Sequence, residues 1–374
     1  MKDNLDLNFY IFKYDDLFFV YDHNNMVPAR INKTTYEVLN KLQQMNVNDI
    51  TLEHITDIGG AGLISYMNKG FLFSSQNNTV QNEYRGLNLS FSPICGCNFC
   101  CKHCLSKNMS DHGYMDYKVL SDAMEFFNKN IVFDACQIDF IRDNEPLLDF
   151  DYFKNCADII RKINASYNRD TFFSLCTNDM RLKEEKLDLQ LCSLKKLYRH
   201  LMEYLFDVSN LENISVFTSI LNDNDDFRNI FCRLLLKSGT RRRCSAGINK
   251  FSISLDGKIY PCNKFAGIDE YCLGDIYYGL NYKFYEFKNM NTHNSQKCSY
   301  CWAAKLCGGD CYYNSYLKNN NCLEPDPNIC ELNQYLIELS IVLMTKLSAH
   351  KPDFLKLLYI DLSQKEKINK GESA

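Results

Sequence analysis

Cysteine placement constrains this chain more than any other feature. Five of its nineteen cysteines fall between positions 95 and 104 and six more between 298 and 330, in a chain of 374 residues. A short disulfide scaffold carries a far higher cysteine fraction, and buried core thiols do not bunch in this way. The N-terminal stretch 1–10 is polar and acidic and lacks the apolar segment of a signal peptide. No run approaches the roughly 18 apolar residues of a membrane span. The expected location is therefore cytoplasmic, without membrane attachment, where clustered cysteines read as metal ligands or catalysts rather than bridges. With 46% apolar and 24% charged residues the chain has the composition of a globular protein. Its net charge of −4, with basic residues scattered apart from Arg241, Arg242 and Arg243, gives no reason to expect nucleic acid.

The texture changes along the chain at three places. Phe9–Tyr14, Phe18–Asp22 and Met26–Ile31 are short aromatic or aliphatic runs separated by turn residues, which predicts a three-stranded antiparallel sheet. Tyr36, Val38, Leu39 and Leu42 then recur at helical spacing across Lys33–Gln44, and helices are also expected at Ile50–Ile58 and Gly62–Asn68. After a polar linker at 75–84, strand and helix alternate, the mark of a parallel α/β layout. Strands are expected at Leu87–Ser90, Gln137–Ile141, Thr171–Thr177 and Ser215–Ile220, and helices at Tyr117–Asn128, Phe153–Ile163, Leu191–Leu205 and Phe227–Leu236. From Cys244 the sequence turns to cysteines and turns, with a hairpin around Asp256–Gly257, and ends in helical patterns at Asn333–Ala349 and Asp353–Leu362.

Cys97, Cys101 and Cys104 form C-x3-C-x2-C, a spacing that no other triple of the 95–104 group has. Three thiolates on one loop can hold three irons of a 4Fe-4S cluster and leave the fourth iron open for chemistry. The alternative is a structural zinc site, which asks for four ligands in a closed tetrahedron, usually as two paired knuckles; His103, wedged between two of the cysteines, would be a poor fourth.

This spacing resembles the radical S-adenosylmethionine (SAM) superfamily. Arg142–Asp143–Asn144–Glu145–Pro146 resembles the family's Gly-Gly-Glu-Pro segment, whose backbone receives the amino group of SAM, with Asp143 and Asn144 in place of both glycines. Thr177–Asn178–Asp179 is similar to the family's Thr-Asn-Gly segment at the same site. The resemblance implies a SAM-binding 4Fe-4S cluster on Cys97, Cys101 and Cys104, with SAM against Asp143, Asn144, Glu145, Thr177 and Asn178.

Cys298-x2-Cys301-x5-Cys307-x3-Cys311 followed by Cys330, and preceded by Cys244 and Gly257-x4-Cys262, resembles the SPASM domain of peptide-modifying radical SAM enzymes, which binds two auxiliary iron–sulfur clusters. Carried over, Cys298, Cys301, Cys307 and Cys330 hold one cluster. Cys244, Cys262 and Cys311 hold the other, with Cys272 or an open position as fourth ligand. Cys322 competes with Cys330, and a zinc ribbon is the alternative for the tract. Residues 8–74 resemble the winged-helix (PqqD-like) recognition element of ribosomal-peptide (RiPP) maturases, in which a precursor's leader adds a strand to the sheet edge. The implied receiving surface is 26–31 together with 62–68.

The expected fold is α/β: a winged-helix leader-binding domain (1–75), a shortened partial (β/α) TIM-like barrel (86–240), a cysteine-rich SPASM domain (241–350), and a C-terminal helix and tail (351–374). The expected function is a radical SAM oxidoreductase that takes a hydrogen atom from a precursor peptide to form a thioether, with flavodoxin or ferredoxin as reducing partner. Carbon–carbon cross-linking, epimerisation, and a non-catalytic iron–sulfur scaffold are the alternatives. Two departures stand out. Residues 105–243 number 139, against about 180 for six strand–helix units. Asn263 follows Cys262 where sulfatase-maturing relatives carry an aspartate, which argues against that activity.

Overall fold

The computed structural model describes residues 7–45, 63, 72, 86–91, 94–95, 113–140, 149–175, 191–212, 214–220 and 226–369. Its contacts divide the chain into two compact units, each assembled from distant segments. The first comprises Met1–Asn82, Asp188–Arg243 and Asn291–Lys365; the second comprises Glu83–Leu187, Cys244–Met290 and Glu366–Ala374. The units thus break within the 75–84 linker, near the expected border at 240, and again at 187 and 290, inside expected domains. Among the described residues no helix is long and apolar enough to cross a membrane.

The second unit is built on strands β4 (Gly86–Phe91), β7 (Ala135–Phe140) and β8 (Asp170–Leu175), which follow the first unit's β1–β3 and the short pair β5 (Ile94–Cys95) and β6 (Gly113–Tyr114). They run parallel and in register, Phe91 beside Phe140 beside Leu175. Leu87, Leu89, Cys136, Ile138 and Phe140 alternate onto one buried face. Helix α2 (Tyr117–Asn130), which follows α1 of the first unit, and α3 (Phe150–Ser166) belong to the same layer. Leu120, Ala123, Met124 and Phe127 form the buried stripe of α2, and the Phe127 ring lies 5.3 Å from Phe251. Asp116 and Asp149 cap the two helices by accepting from Lys118 N and Tyr152 N, satisfying amides that the first turn leaves without intrahelical partners.

The hairpin expected around Asp256–Gly257 forms between β9 (Lys250–Ile253) and β10 (Lys258–Tyr260), with Gly257 at φ +83°. It does not stand apart. β9 pairs with β4 in parallel, so with β11 (Gly274–Asp275) and β12 (Gly279–Leu280) the strands make one open mixed sheet of order β12-β11-β10-β9-β4-β7-β8. An α/β layer with four parallel strands is therefore present, with β9 as the fourth in place of the expected strand at Ser215–Ile220.

That missing strand, Ser215–Ile220, is a helix of the first unit, α5 (Ile214–Ile220), lying between α4 (Leu191–Val208) and α6 (Asp226–Leu236). Ile214 and Phe217, three residues apart, share a helical face in the core, and the Phe217 ring meets Phe354 at 5.2 Å. Tertiary burial overrides the strand-like alternation of local sequence.

The first unit begins with the expected antiparallel sheet, β1 (Phe9–Tyr14), β2 (Leu17–Asp22) and β3 (Val27–Ile31), in the order β1-β2-β3. One face, with Phe9, Ile11 and Val20, packs on Val38, Leu39 and Leu42 of α1 (Lys33–Gln44). The other, with Phe12, Phe19 and Tyr21, shares a core with Leu336, Ile337 and Leu343 from the helix Pro327–His350. Both faces are covered, so sequence-local structure at the N-terminus is completed by a segment some 300 residues away. That long helix is capped by Asp326, with Pro327 in its first turn, where a missing N–H costs nothing. Of the helices expected at 50–58 and 62–68, only Leu63 is described, buried against α1.

Candidate metal centre

In the first unit, the cysteines of 298–330 sit on short pieces of helix joined by tight turns. Following α7 (Tyr282–Asn289) of the second unit, these are α8 (Gln296–Ser299), α9 (Ala304–Cys307), α10 (Tyr312–Asn319) and the long helix, α11 (Pro327–His350). Ser295 accepts from Cys298 N and starts α8. Cys301 N donates to Cys298 O, turning the chain so that the two thiols face one way. Cys307 ends α9, and Gly308 follows at φ +73°. A Cβ on Gly308 would stand 2.6 Å from the Arg242 carbonyl oxygen, so glycine is required for both conformation and space. Gly308→Ala is expected to destabilise the protein by about 1–3 kcal/mol, read as a lowered urea midpoint with an unchanged slope.

Cys298, Cys301, Cys307 and Cys330 line one cavity, together with Asp310, Pro325, Asn333 and Gln334. These are the four cysteines expected from sequence to share a cluster. Cys322 is buried and lines the neighbouring recess with Cys298, Gly308 and Ser315, not this cavity. Among the described residues no group of three or more His, Cys, Asp or Glu side chains is placed to hold a metal ion; what the four thiols share is the lining of this cavity.

The surroundings oppose free thiolates. Burial pushes the Cys330 thiol up to about 12, helped by negative charge at Cys307, Cys298, Cys301 and Asp310. Burial raises Cys307 to about 11, against a lowering by the Arg243 guanidinium, and burial also raises Cys298. Without a cation these thiols stay protonated at neutral pH, so metal binding here releases protons and is pH-dependent. Arg243 is held by Asp226 at 2.5 Å and donates to Asn333 at 3.4 Å. Gln334 Nε2 donates to Cys301 Sγ at 3.8 Å. Asp310 is fixed by Cys311 N, Asp326 N and Ser315 Oγ. Arg243, Asp310 and Gln334 were not foreseeable from cysteine spacing; their role comes from folding distant segments around the cavity.

In the second unit, Cys262 is buried at the end of the β10 run, and Cys272 precedes β11. The β10–β11 ladder pairs Ile259 with Gly274, and Leu273 N donates to Ile259 O, which brings the chain at Cys272 alongside the chain leading to Cys262. The Cys272 thiol donates to Gly274 O at 3.3 Å. Cys244 opens this segment of the unit; Cys311 belongs to the first unit.

Comparison with known proteins gives partial likenesses. No family model matches the chain, and neither does any curated protein. Among solved structures, it is similar to anSMEcpe with bound AdoMet and the Kp18Cys peptide, at 16% identity and TM-score 0.47 over 73% of this chain and 99% of that one. It is similar to Streptococcus suis SuiB bound to precursor peptide SuiA, at 14% identity and TM-score 0.37 over 87% and 99%. BtrN in complex with AdoMet and 2-DOIA gives 17% identity and TM-score 0.33 over 59% and 94%. These resemblances are weak, and the functional reading rests on the residues of this chain.

The residues expected to hold SAM and its cluster, Cys97, Cys101, Cys104, Asp143, Asn144, Glu145, Thr177 and Asn178, lie outside the described residues, as do 62–68 apart from Leu63. What is described is where their segments begin. Cys97 comes six residues after the end of β4, Asp143 three after β7, and Thr177 two after β8. Those three strands are adjacent, parallel and end level, which is where α/β sheets place ligands.

Just below these ends, the face opposite α2 and α3 carries a polar row: Ser252, Ser90, Asp139 and Ser174 in register on four neighbouring strands. The buried Asp139 carboxylate accepts from Asn88 Nδ2 at 2.8 Å, Gln137 Nε2 at 2.9 Å and Ser174 Oγ at 2.5 Å. Alternation of Asn88 and Ser90, and of Gln137 and Asp139, with apolar residues is the signal in the sequence for this face.

Proposed function

We propose that the chain is a radical SAM enzyme that modifies a ribosomally made precursor peptide. The observation that carries this reading is the shared cavity of Cys298, Cys301, Cys307 and Cys330, the same four residues that the SPASM resemblance groups together. Four thiols lining one cavity suit an iron–sulfur cluster. We assign these four to one auxiliary cluster, and Cys244, Cys262, Cys311 and Cys272 to the other. The neighbouring chains at Cys262 and Cys272 support Cys272 as the fourth ligand.

Cys97, Cys101 and Cys104 are assigned to the SAM cluster, with Asp143, Asn144, Glu145, Thr177 and Asn178 around SAM. When bound, the reduced cluster and SAM supply a 5′-deoxyadenosyl radical, the hard step of the chemistry. The protein's part is to hold the peptide within reach and exclude other hydrogen donors. The level ends of β4, β7 and β8 support convergence of the three segments on one site. β3 supports leader docking: among described residues its sole strand partner is β2, and with both sheet faces covered an edge is what remains for an added strand. Thioether formation on a cysteine-containing peptide is the proposed reaction, with flavodoxin or ferredoxin as electron donor in the cytoplasm.

The test is anaerobic reconstitution with iron and sulfide. About ten to twelve irons per chain are expected, together with 5′-deoxyadenosine once SAM and dithionite are added. Near-stoichiometric zinc with no iron uptake would overturn the reading. Full iron without SAM cleavage, in the presence of the precursor, would replace it with an iron–sulfur scaffold, a result to which the replacement of both glycines by Asp143 and Asn144 is pertinent.

A further inference from the structure

The loop between Cys301 and Cys307 lines the cavity through Cys301, Ala303, Ala304 and Cys307, and the N-terminal sheet is built onto the same loop. Trp302 stacks on Tyr10 of β1, with ring centroids 3.7 Å apart and planes 4° from parallel, and meets the edge of Tyr21 of β2 at 6.3 Å. Ala303 and Leu306 are buried in the same core as Phe12, Phe19, Tyr21 and Met26. Lys305 Nζ donates to Asn24 O at 3.2 Å and Asn24 Oδ1 at 3.3 Å, in the turn that joins β2 to β3. A second connection runs along α11. Gln334 reaches Cys301 Sγ, and Glu338, one helical turn on, accepts from Tyr10 Oη at 2.7 Å.

Resting on the reading that Cys298, Cys301, Cys307 and Cys330 hold a cluster, we propose that loading this site and ordering the N-terminal sheet are one coupled equilibrium, so that the β3 edge is competent to take a peptide strand only in the metal-loaded protein. Four metal–thiolate bonds would fix the loop that also carries Trp302 and Lys305. The free energy of metal binding is thereby passed to the sheet as folding free energy. Coupling of this kind is reciprocal: a strand added at β3 tightens the same turn and loop, and so favours retention of the cluster. An apo enzyme would then not sequester precursor that it cannot modify.

Hydrogen exchange of the full-length protein, before and after anaerobic iron–sulfide loading, tests this without a precursor. Backbone amides of 17–31 are expected to exchange at least about tenfold more slowly after loading. Emission from Trp302, the chain's one tryptophan, is expected to fall in parallel. Cys330→Ala, loaded in the same way, is expected to show neither change while retaining the irons of its other sites. Wild type that takes up its full iron but leaves exchange at 17–31 unchanged overturns the coupling and spares the functional reading. Wild type that takes up no iron overturns both. Protection that persists in Cys330→Ala also overturns the coupling, since it would arise elsewhere.

Discussion

Cys101→Ala is expected to abolish formation of 5′-deoxyadenosine from SAM, while Cys100→Ala, one position earlier, is expected to retain it. The contrast follows from counting. Only Cys97, Cys101 and Cys104 give C-x3-C-x2-C, so removing Cys101 leaves two of the three cysteines of that pattern and no three-ligand set of that spacing for a cluster with an open iron. Cys100 has no place in that pattern. The expected loss is on the order of a thousandfold or more in product formed under dithionite, since the open iron proposed to bind SAM and pass the electron to its sulfonium is lost with the third ligand. Far-UV circular dichroism on both variants checks that the fold is kept. Equal loss in the two variants, or equal retention, would sink the assignment.

The second large effect separates two cysteines that spacing alone leaves in competition. Cys330→Ala is expected to lower bound iron by about four per chain, whereas Cys322→Ala leaves the iron content unchanged. Cys330 enters the cavity from the first turn of α11 and faces three other thiols, whereas Cys322 lies in the adjacent recess among Gly308, Ser315 and Leu323. Iron analysis and the cluster absorbance near 400 nm measure both variants. Loss of iron from Cys322→Ala alone would reverse the assignment. As a buried thiol, Cys322 serves as a small apolar side chain, so its alanine variant should also keep most of the protein's stability.

The sequence made legible those features that depend on near neighbours. The N-terminal strands, the α1 stripe of Val38, Leu39 and Leu42, the turn at Asp256–Gly257 and the parallel runs of β4, β7 and β8 all follow from periodicity and turn chemistry within a dozen residues. That Cys298, Cys301, Cys307 and Cys330 line one cavity matches the set that the SPASM resemblance groups together. Two features were hidden for the same reason. Ser215–Ile220 reads as a strand locally and becomes a helix because Ile214 and Phe217 find partners in a core that includes Phe354. The union of β1 and β2 with α11 depends on surfaces that meet only after folding, as do Arg243, Gln334 and Trp302 around the cavity. Local pattern carries no record of such meetings.

The pairing of Tyr10 with Glu338 spans 328 positions, which has a consequence for how the protein is made. At typical synthesis rates, roughly 20–60 s pass between emergence of the first strand and completion of the helix that covers it. During that interval the Phe12, Phe19 and Tyr21 face has no C-terminal partner, and a strand edge with an apolar face is a template for pairing with another chain. The nascent sheet is therefore expected to be open to wrong pairing until α11 has been made. Expression should gain more from slow translation at low temperature, or from a solubilising N-terminal fusion, than from changes to the mature surface.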